Sequence, residues 1–144
     1  MSQQANLREV IYYWLEKSKE SLSAAQDEME AGRLSFSVNR IYYACFYAVS
    51  AVLLQEKLRF KKHSGVRAAF HQHLVKSGMV SQKHGQLYDE LFEARQRGDY
   101  IELVYFEKNQ VEDWLQRAKE FVKAISLLIK KPYGASDEKS KTEK

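Results

Sequence analysis

Residues 41–54 read Ile-Tyr-Tyr-Ala-Cys-Phe-Tyr-Ala-Val-Ser-Ala-Val-Leu-Leu, a run that is apolar or aromatic at every position except Ser50. A helix on the surface would carry a polar face, so a helix that is apolar nearly all round is predicted to lie at the centre of a bundle. The run itself is too short to cross a bilayer, because a membrane-spanning helix needs about 20 apolar residues. The sequence therefore predicts an all-α protein built around one buried helix.

The segments on either side of this run carry the apolar period of amphipathic helices. The predicted helices span about residues 7–29, 64–78, 81–98 and 107–131. A further helix, which contains the buried run, is predicted to begin after Ser35 or Ser37 and to end at about residue 58. Asn6 and Ser64 are expected to be N-caps, and Gly32 is expected to end the first helix. We expect an up-and-down bundle of four to five helices over residues 1–131, followed by a polar, disordered tail over residues 132–144.

The composition limits the class of protein. A chain of 144 residues fits one domain, and one Pro with six Gly gives too few chain breakers for an all-β fold. The single cysteine, Cys45, excludes an internal disulfide framework and suits a reducing compartment. The N-terminus lacks the layout of a signal peptide, so we expect a cytoplasmic protein with no membrane partner. The net charge of +4 is only mildly basic.

The histidines do not have the spacing of a metal site. They are His63, His71, His73 and His84. A pair of helical ligands on one face needs a spacing of about four residues, and no two of these histidines have it. Glycine loops for phosphate, HExxH motifs and EF-hand loops are missing from the sequence. We expect no metal and no cofactor, and we expect Cys45 to be an inert buried thiol.

Basic residues crowd around the predicted start of the third helix. They are Lys57, Arg59, Lys61, Lys62 and Arg67. His63 lies among them, and only Glu56 offsets their charge locally. Free amides at Ser64 and Gly65, together with the helix dipole, would attract a phosphate. The cluster is either a site that contacts the backbone of RNA or a nucleotide, or a solvated loop that keeps the protein soluble.

A second polar group lies at the end of the fourth predicted helix. Its members are Glu93, Arg95, Arg97, Asp99 and Tyr100. Since Arg95 and Arg97 are two positions apart, at most one of them faces a given cleft, and cations at a helix C-terminus are also expected for structural reasons. Arg40 precedes the buried run, and it either faces a ligand or forms an ion pair with Asp99 or Glu93.

Three motifs together resemble one family. Residues 39–48, Asn-Arg-Ile-Tyr-Tyr-Ala-Cys-Phe-Tyr-Ala, are similar to the SRxYYAxFYA helix of the HEPN superfamily (higher eukaryotes and prokaryotes nucleotide-binding). Residues 62–66, Lys-His-Ser-Gly-Val, resemble its K-x-H-S-G-V turn, and residues 95–100, Arg-Gln-Arg-Gly-Asp-Tyr, resemble its R-x-x-A-D-Y signature. Their order and spacing match over about residues 7–130, and the pattern is similar to that of the small stand-alone prokaryotic branch.

The resemblance implies a helical bundle that forms a homodimer and is encoded beside a minimal nucleotidyltransferase, as a toxin–antitoxin-like module. Many HEPN proteins are metal-independent ribonucleases with an Arg-x4-6-His motif, in which His transfers protons and Arg stabilises the charge on phosphorus. This sequence departs from that motif, because no histidine follows His84. Tyr100 cannot replace an imidazole near pH 7, because its ordinary pKa is about 10. The standard nuclease pair is absent.

We therefore predict a non-catalytic or weakly catalytic HEPN protein that binds a minimal nucleotidyltransferase and holds the phosphate of a nucleotide or RNA. The candidate binding residues are Arg40, Tyr43, Lys62, His63, Ser64, Arg95, Arg97, Asp99 and Tyr100. One alternative is a ribonuclease toxin, with His63 as base and Arg95 or Arg97 as oxyanion clamp. The other is a purely structural helical adaptor. A homodimer would use the tyrosines at positions 12, 13, 42, 43 and 47.

Overall fold

The computed structural model of the chain describes residues 3–100 and 105–129, with side chains from 6 to 98 and from 105 to 129. The helices are α1 (Gln3–Glu30), α2 (Leu34–Gln55), α3 (His63–Phe70), α4 (Gln82–Tyr100) and α5 (Lys108–Ser126). One π-helical turn, His71–Val75, extends α3. The described ranges contain no strand, and the predicted all-α bundle is confirmed.

Helix α2 is the centre of the bundle, and it packs against each of the other four helices. Every residue from Ile41 to Leu54 is buried except Tyr43, Phe46 and Tyr47, which are partly buried. The complete helix has 22 residues and is long and apolar enough to cross a bilayer, although the apolar run within it is shorter. However, 72% of its apolar window is buried inside the protein, which is the pattern of a core helix.

Two helices end at a residue with left-handed backbone. Gly32 (φ +82°) ends α1, as predicted. Helix α2 ends in the same manner at Lys57 (φ 64°), where the amide of Leu58 donates to the carbonyl of Leu53 at 2.8 Å. A lysine in this conformation costs roughly 1–2 kcal/mol, because its Cβ crowds the following carbonyl oxygen.

The starts of α1 and α2 differ from the predictions. Helix α1 begins upstream of Asn6, which therefore lies inside the helix and is not its N-cap. Helix α2 begins upstream of both Ser35 and Ser37. The Ser37 hydroxyl is fully buried and donates to the carbonyl of Ala25 on α1 at 2.8 Å. This serine therefore joins two helices, although its residue type also suits a cap.

The later helices follow the predictions more closely. Ser81 precedes α4, and its hydroxyl accepts a long hydrogen bond from the amide of His84 at 3.4 Å. Helix α4 extends to Tyr100, two residues beyond the predicted end. Helix α5 is shorter than the predicted 107–131. The predicted tail, residues 132–144, lies outside the described residues.

Candidate functional site

Three helices bring aromatic and basic side chains together on one side of the bundle. Helix α2 supplies Tyr42, Tyr43 and Phe46, α3 begins with His63, and α4 carries Arg95. We call these five residues the aromatic site. The three α2 rings have centroids 5.2 to 5.9 Å apart. Tyr42 and Phe46 are four residues apart on a helix, so both rings lie on the side that α3 covers.

His63 is held by ring stacking and one hydrogen bond. Its imidazole stacks on Phe46 with centroids 4.2 Å apart, and its Nδ1 lies 2.9 Å from the hydroxyl oxygen of Tyr42. The ring is only partly buried. Within the described part of the chain its Nε2 makes no hydrogen bond. This nitrogen is therefore available to a ligand.

The turn before α3 depends on a close approach at Gly65. A Cβ at this position would lie 3.3 Å from two atoms of Phe60. Helix α3 begins at His63, so Ser64 is an exposed residue of the first turn and not the predicted N-cap. The Gly65 amide donates to the carbonyl of Lys62 at 3.1 Å. The expectation that this amide is free to bind a phosphate is therefore wrong.

Arg95 lies against the same tyrosines as His63. Its guanidinium carbon is 5.4 Å from the ring centroids of both Tyr42 and Tyr43, within the range of cation–π attraction. Its Nη2 donates to the Tyr43 hydroxyl at 3.3 Å. The structure thus brings together Tyr43, His63 and Arg95 of the predicted binding residues.

Burial and charge set the protonation states in the aromatic site. Burial lowers the pKa of His63, and the positive charge of Arg95 lowers it further. Burial raises the pKa of Tyr42 to about 12. At pH 7 the imidazole is therefore neutral and the Tyr42 hydroxyl keeps its proton.

A neighbouring buried hydroxyl bears on which imidazole nitrogen carries the proton. Tyr88 is fully buried, and its hydroxyl has no well-aligned hydrogen bond. Burial raises the pKa of Tyr88, and the adjacent Tyr42 raises it further. Donation from Tyr88 to Tyr42, and from Tyr42 to Nδ1 of His63, gives each of these protons an acceptor. In that order of donation, the proton of neutral His63 is on Nε2.

Two predicted cations next to the site point into solvent. Lys62 is the N-cap residue of α3, but its exposed side chain makes no capping hydrogen bond. Arg97, two positions beyond Arg95, is also exposed. The backbone of Asp99 and Tyr100 closes α4, but their side chains lie outside the described residues.

Arg40 lies apart from His63 and Arg95. It is exposed, and its Nη1 donates to the side-chain oxygen of Asn39 at 3.1 Å. The ion pair with Glu93 that the sequence left open is not formed, and Arg40 has no ion pair with any described residue.

The predicted binding residues do not include Tyr42 or Phe46, which form much of the site. Tyr42 was expected at a dimer surface, and this expectation is wrong because the side chain has 0% exposure. The four-residue spacing of Tyr42 and Phe46 is the signal that places both rings on one helix face. Which helix covers that face depends on the packing of α3 and is not encoded locally.

A second cluster of similar residues lies further along α3. The Arg67 Nε donates to Oδ1 of Asp89 at 2.8 Å, and Nε2 of His71 donates to the same oxygen at 2.9 Å. We call these three residues the Asp89 cluster. The Arg67 guanidinium also lies 4.5 Å over the ring of Phe92. Gly85 permits the close contact of α4 with the π-helical turn, because a Cβ there would lie 3.2 Å from Cε1 of His71.

The described residues offer no group of three or more His, Cys, Asp or Glu side chains that could hold a metal ion. Cys45 is fully buried in α2, and burial raises the pKa of its thiol far above the usual range. Such a thiol is a poor nucleophile, because the reactive form is the thiolate.

Comparison with known proteins identifies the family of this chain. The HEPN domain family matches residues 11–129. A Thermotoga maritima protein named "UPF0332 protein" is 48% identical over 120 residues, which cover 83% of this chain and 91% of the relative. Two Methanocaldococcus jannaschii proteins are more distant. "Putative toxin MJ0142" is 32% identical over a region that covers 81% of this chain and 80% of the relative. "Putative toxin MJ0605" is 31% identical over a region that covers 87% of this chain and 92% of the relative. The chain belongs to the HEPN domain family.

Proposed function

We propose that this chain is the HEPN member of a two-component toxin–antitoxin module and that its aromatic site binds the phosphate of RNA or of a nucleotide, with little or no cleavage. The observation that carries the proposal is the convergence of His63 and Arg95, from two different helices, on Tyr42 and Tyr43. A guanidinium and an imidazole N–H are both suitable donors to phosphate oxygens.

The names of two relatives support the toxin–antitoxin context, since both are called toxins. In this proposal the partner is a minimal nucleotidyltransferase, as the resemblance implies, and the pair works in the cytoplasm. The HEPN chain is a homodimer. The exposed ring of Tyr13 on α1 supplies aromatic surface for these contacts.

Weak catalysis follows from the donors that the site contains. No histidine follows Arg95 or Arg97 after four to six intervening residues, and the imidazole on which the charge of Arg95 acts is that of His63. If its proton is on Nε2, the exposed nitrogen donates a hydrogen bond and cannot accept a proton from a 2′-hydroxyl. The aromatic site is then better suited to hold a phosphate than to cleave beside it.

Thermal unfolding with nucleoside monophosphates and short RNAs tests phosphate binding. A ligand at 100 times its Kd is expected to stabilise the protein by about 2.7 kcal/mol. We expect His63→Ala and Arg95→Ala to lose this stabilisation and Lys123→Ala, an exposed α5 variant, to keep it. If a folded wild-type protein shows no stabilisation with any of these probes, phosphate binding is refuted and the structural adaptor is favoured.

The partner is tested separately. We expect the chain to co-purify with a minimal nucleotidyltransferase when the two are expressed together, and light scattering to give the mass of a dimer for the chain alone. A monomer that binds no such enzyme would contradict this part of the proposal.

One observation favours a second candidate, a metal-independent ribonuclease. Because burial and Arg95 lower the pKa of His63, its imidazole is neutral and can act as a base near pH 7. His63 would take the proton of the 2′-hydroxyl, and the 2′-oxygen would attack phosphorus as the 5′-oxygen of the next nucleotide leaves with a proton from water. Arg95 would stabilise the charge on the phosphoryl oxygens.

Incubation of end-labelled RNA with the protein in EDTA separates the two candidates. Cleavage to a 2′,3′-cyclic phosphate that is lost in His63→Ala and Arg95→Ala would establish the ribonuclease. Intact RNA that is bound by the wild-type protein supports the binding module.

A further inference from the structure

An open groove lies next to the aromatic site, between α1 and α2, with a volume of about 680 Å³. The side chains that matter are Lys17, Glu20 and Ser21 from α1 and Arg40, Tyr43 and Tyr47 from α2. The three α2 residues stand at intervals of three and four, so they share one face of the helix. The volume lies within the range of small-ligand pockets.

The acidic residues near the groove are paired, and Arg40 is not. Glu20 is 3.6 Å from the Lys17 ammonium. Glu28, which lines a neighbouring depression that Arg40 also borders, is 2.9 Å from the Arg33 guanidinium. Arg40 is exposed and has no ion pair with a described residue. The groove therefore carries a net positive charge, and Arg40 supplies it.

Tyr43 belongs to both the groove and the aromatic site. Its hydroxyl accepts a hydrogen bond from Arg95 at 3.3 Å, and its ring lines the groove. The ring of Tyr47 is its neighbour, with centroids 5.7 Å apart. Tyr43 is therefore the residue at which the aromatic site and the groove adjoin.

We propose that the groove binds the next nucleotide of a single-stranded RNA whose phosphate occupies the aromatic site, with Arg40 on the adjacent phosphate and the Tyr47 ring against the base. This inference rests on the proposed function. An exposed guanidinium beside tyrosine rings is the combination that binds single strands, because the cation contacts the backbone and a ring stacks on any base. Asn39 and Ser21 add polar groups for the sugar or the base edge.

The test compares uridine monophosphate with a four-nucleotide oligouridylate as probes, by calorimetry at several salt concentrations. We expect Arg40→Ala to weaken tetranucleotide binding about tenfold and to leave the monophosphate unchanged. The slope of log K against log salt should fall by about 0.7, the value for one phosphate contact on a single strand. Tyr47→Ala should weaken the tetranucleotide, and Tyr47→Phe, which keeps the ring, should not.

The control is Lys123→Ala, which removes the same charge from α5. Tetranucleotide binding that Arg40→Ala leaves intact and Arg95→Ala weakens would overturn the groove and leave the proposed function standing. A wild-type protein that binds neither probe would refute both. A change in oligomeric mass in Arg40→Ala without a change in RNA affinity would make the groove an interface between copies, and would also overturn the inference.

Discussion

The aromatic site and the Asp89 cluster each combine one histidine with one arginine, yet the contacts of these two side chains differ. In both, a histidine of α3 or of its π-helical extension lies close to an arginine. His63 and Arg95 contact tyrosine hydroxyls and ring faces, whereas His71 and Arg67 donate to one carboxylate. A carboxylate satisfies the charge of a guanidinium within the protein. In the aromatic site, ring faces and one hydroxyl orient the Arg95 guanidinium by cation–π attraction and a hydrogen bond.

The comparison separates a cluster whose donors bond within the protein from the site that we propose binds a ligand. In the Asp89 cluster Nε2 of His71 is already used, and in the aromatic site Nε2 of His63 has no hydrogen bond to a described residue. A His and Arg pair is therefore informative about function only when the acceptors around it are known. Four measurements test this distinction.

The largest expected effect is on ligand affinity. We expect Arg95→Ala to weaken binding of a nucleoside monophosphate or short RNA by about 10–100-fold, since a hydrogen bond to a charged group contributes 1.5–3 kcal/mol. Arg67→Ala should leave the affinity unchanged, because this guanidinium is occupied by Asp89. Calorimetric Kd values measure both. Equal losses in the two variants would show that the clusters do not differ in function.

The next effect is on stability. We expect Asp89→Asn to lower the free energy of unfolding by about 1–2 kcal/mol, because two donors lose a charged acceptor at a site that is one-third exposed. Urea denaturation measures the loss. Asp113→Asn, which breaks an exposed pair with Arg117, is the matched control and should cost less than about 0.5 kcal/mol. Similar losses would mean that the Asp89 cluster is no more than a surface pair.

A smaller effect separates two neighbouring tyrosines. We expect Tyr42→Phe to cost about 0.5–1.5 kcal/mol, because it removes the hydrogen bond to His63. Tyr88→Phe should cost less than Tyr42→Phe, since the Tyr88 hydroxyl donates to Tyr42 without good alignment. Urea denaturation measures both changes. Nitrogen NMR of His63 gives the tautomer. We expect the proton on Nε2 in the wild-type protein, and a mixture of the two neutral tautomers in Tyr88→Phe. A wild-type proton on Nδ1 would exclude the proposed order of donation.

The smallest effect is on the pH dependence of stability. The pKa of His63 and that of His84 are lowered in the fold by burial first, and then by Arg95 and by Lys83 respectively. The unfolded chain therefore binds more protons just below pH 6.5. Stability is at its full value above pH 6.5 and falls as the pH decreases through the lowered pKa values. Denaturation at pH 7.5 and pH 5.5 measures the fall.

A variant identifies the source of the pH effect. His63→Gln should reduce the fall and leave the contribution of His84. If the pH dependence of stability is unchanged in His63→Gln, the fold does not lower the pKa of His63. Acidic groups change the stability at lower pH than the histidines do. Glu28 is an example, since its hydrogen bond from Arg33 lowers its pKa.

The central helix could be predicted because its evidence is local. Thirteen of the residues from Ile41 to Leu54 are apolar or aromatic, and no neighbour is needed to infer that such a helix is buried. The stop at Gly32 was equally local, because glycine adopts positive φ without strain. The start of α2 could not be predicted from local evidence. Ser37 is a residue type that suits an N-cap, but its hydroxyl donates to the carbonyl of Ala25 on another helix.

The aromatic site could be predicted only in part. The motifs led to Tyr43, His63 and Arg95, but they grouped Arg40 with them, although Arg40 lies in the groove beyond Tyr43. Sequence spacing orders residues along a helix and does not give the tilt of α3 against α2, which decides that His63 stacks on Phe46. Contacts between helices are therefore the part that the sequence leaves open.

The shortness of α3 has a consequence for how firmly the aromatic site is assembled. An isolated helix of eight residues is unstable in water, so α3 persists because Val66, Ala69 and Phe70 dock into the core. Local opening of this helix alone would carry His63 away from Phe46 while α1, α2 and α5 stay packed. A ligand that contacts both His63 and Arg95 would hold α3 against α4. Ligand binding should therefore slow the hydrogen exchange of the backbone amides of the eight residues of α3.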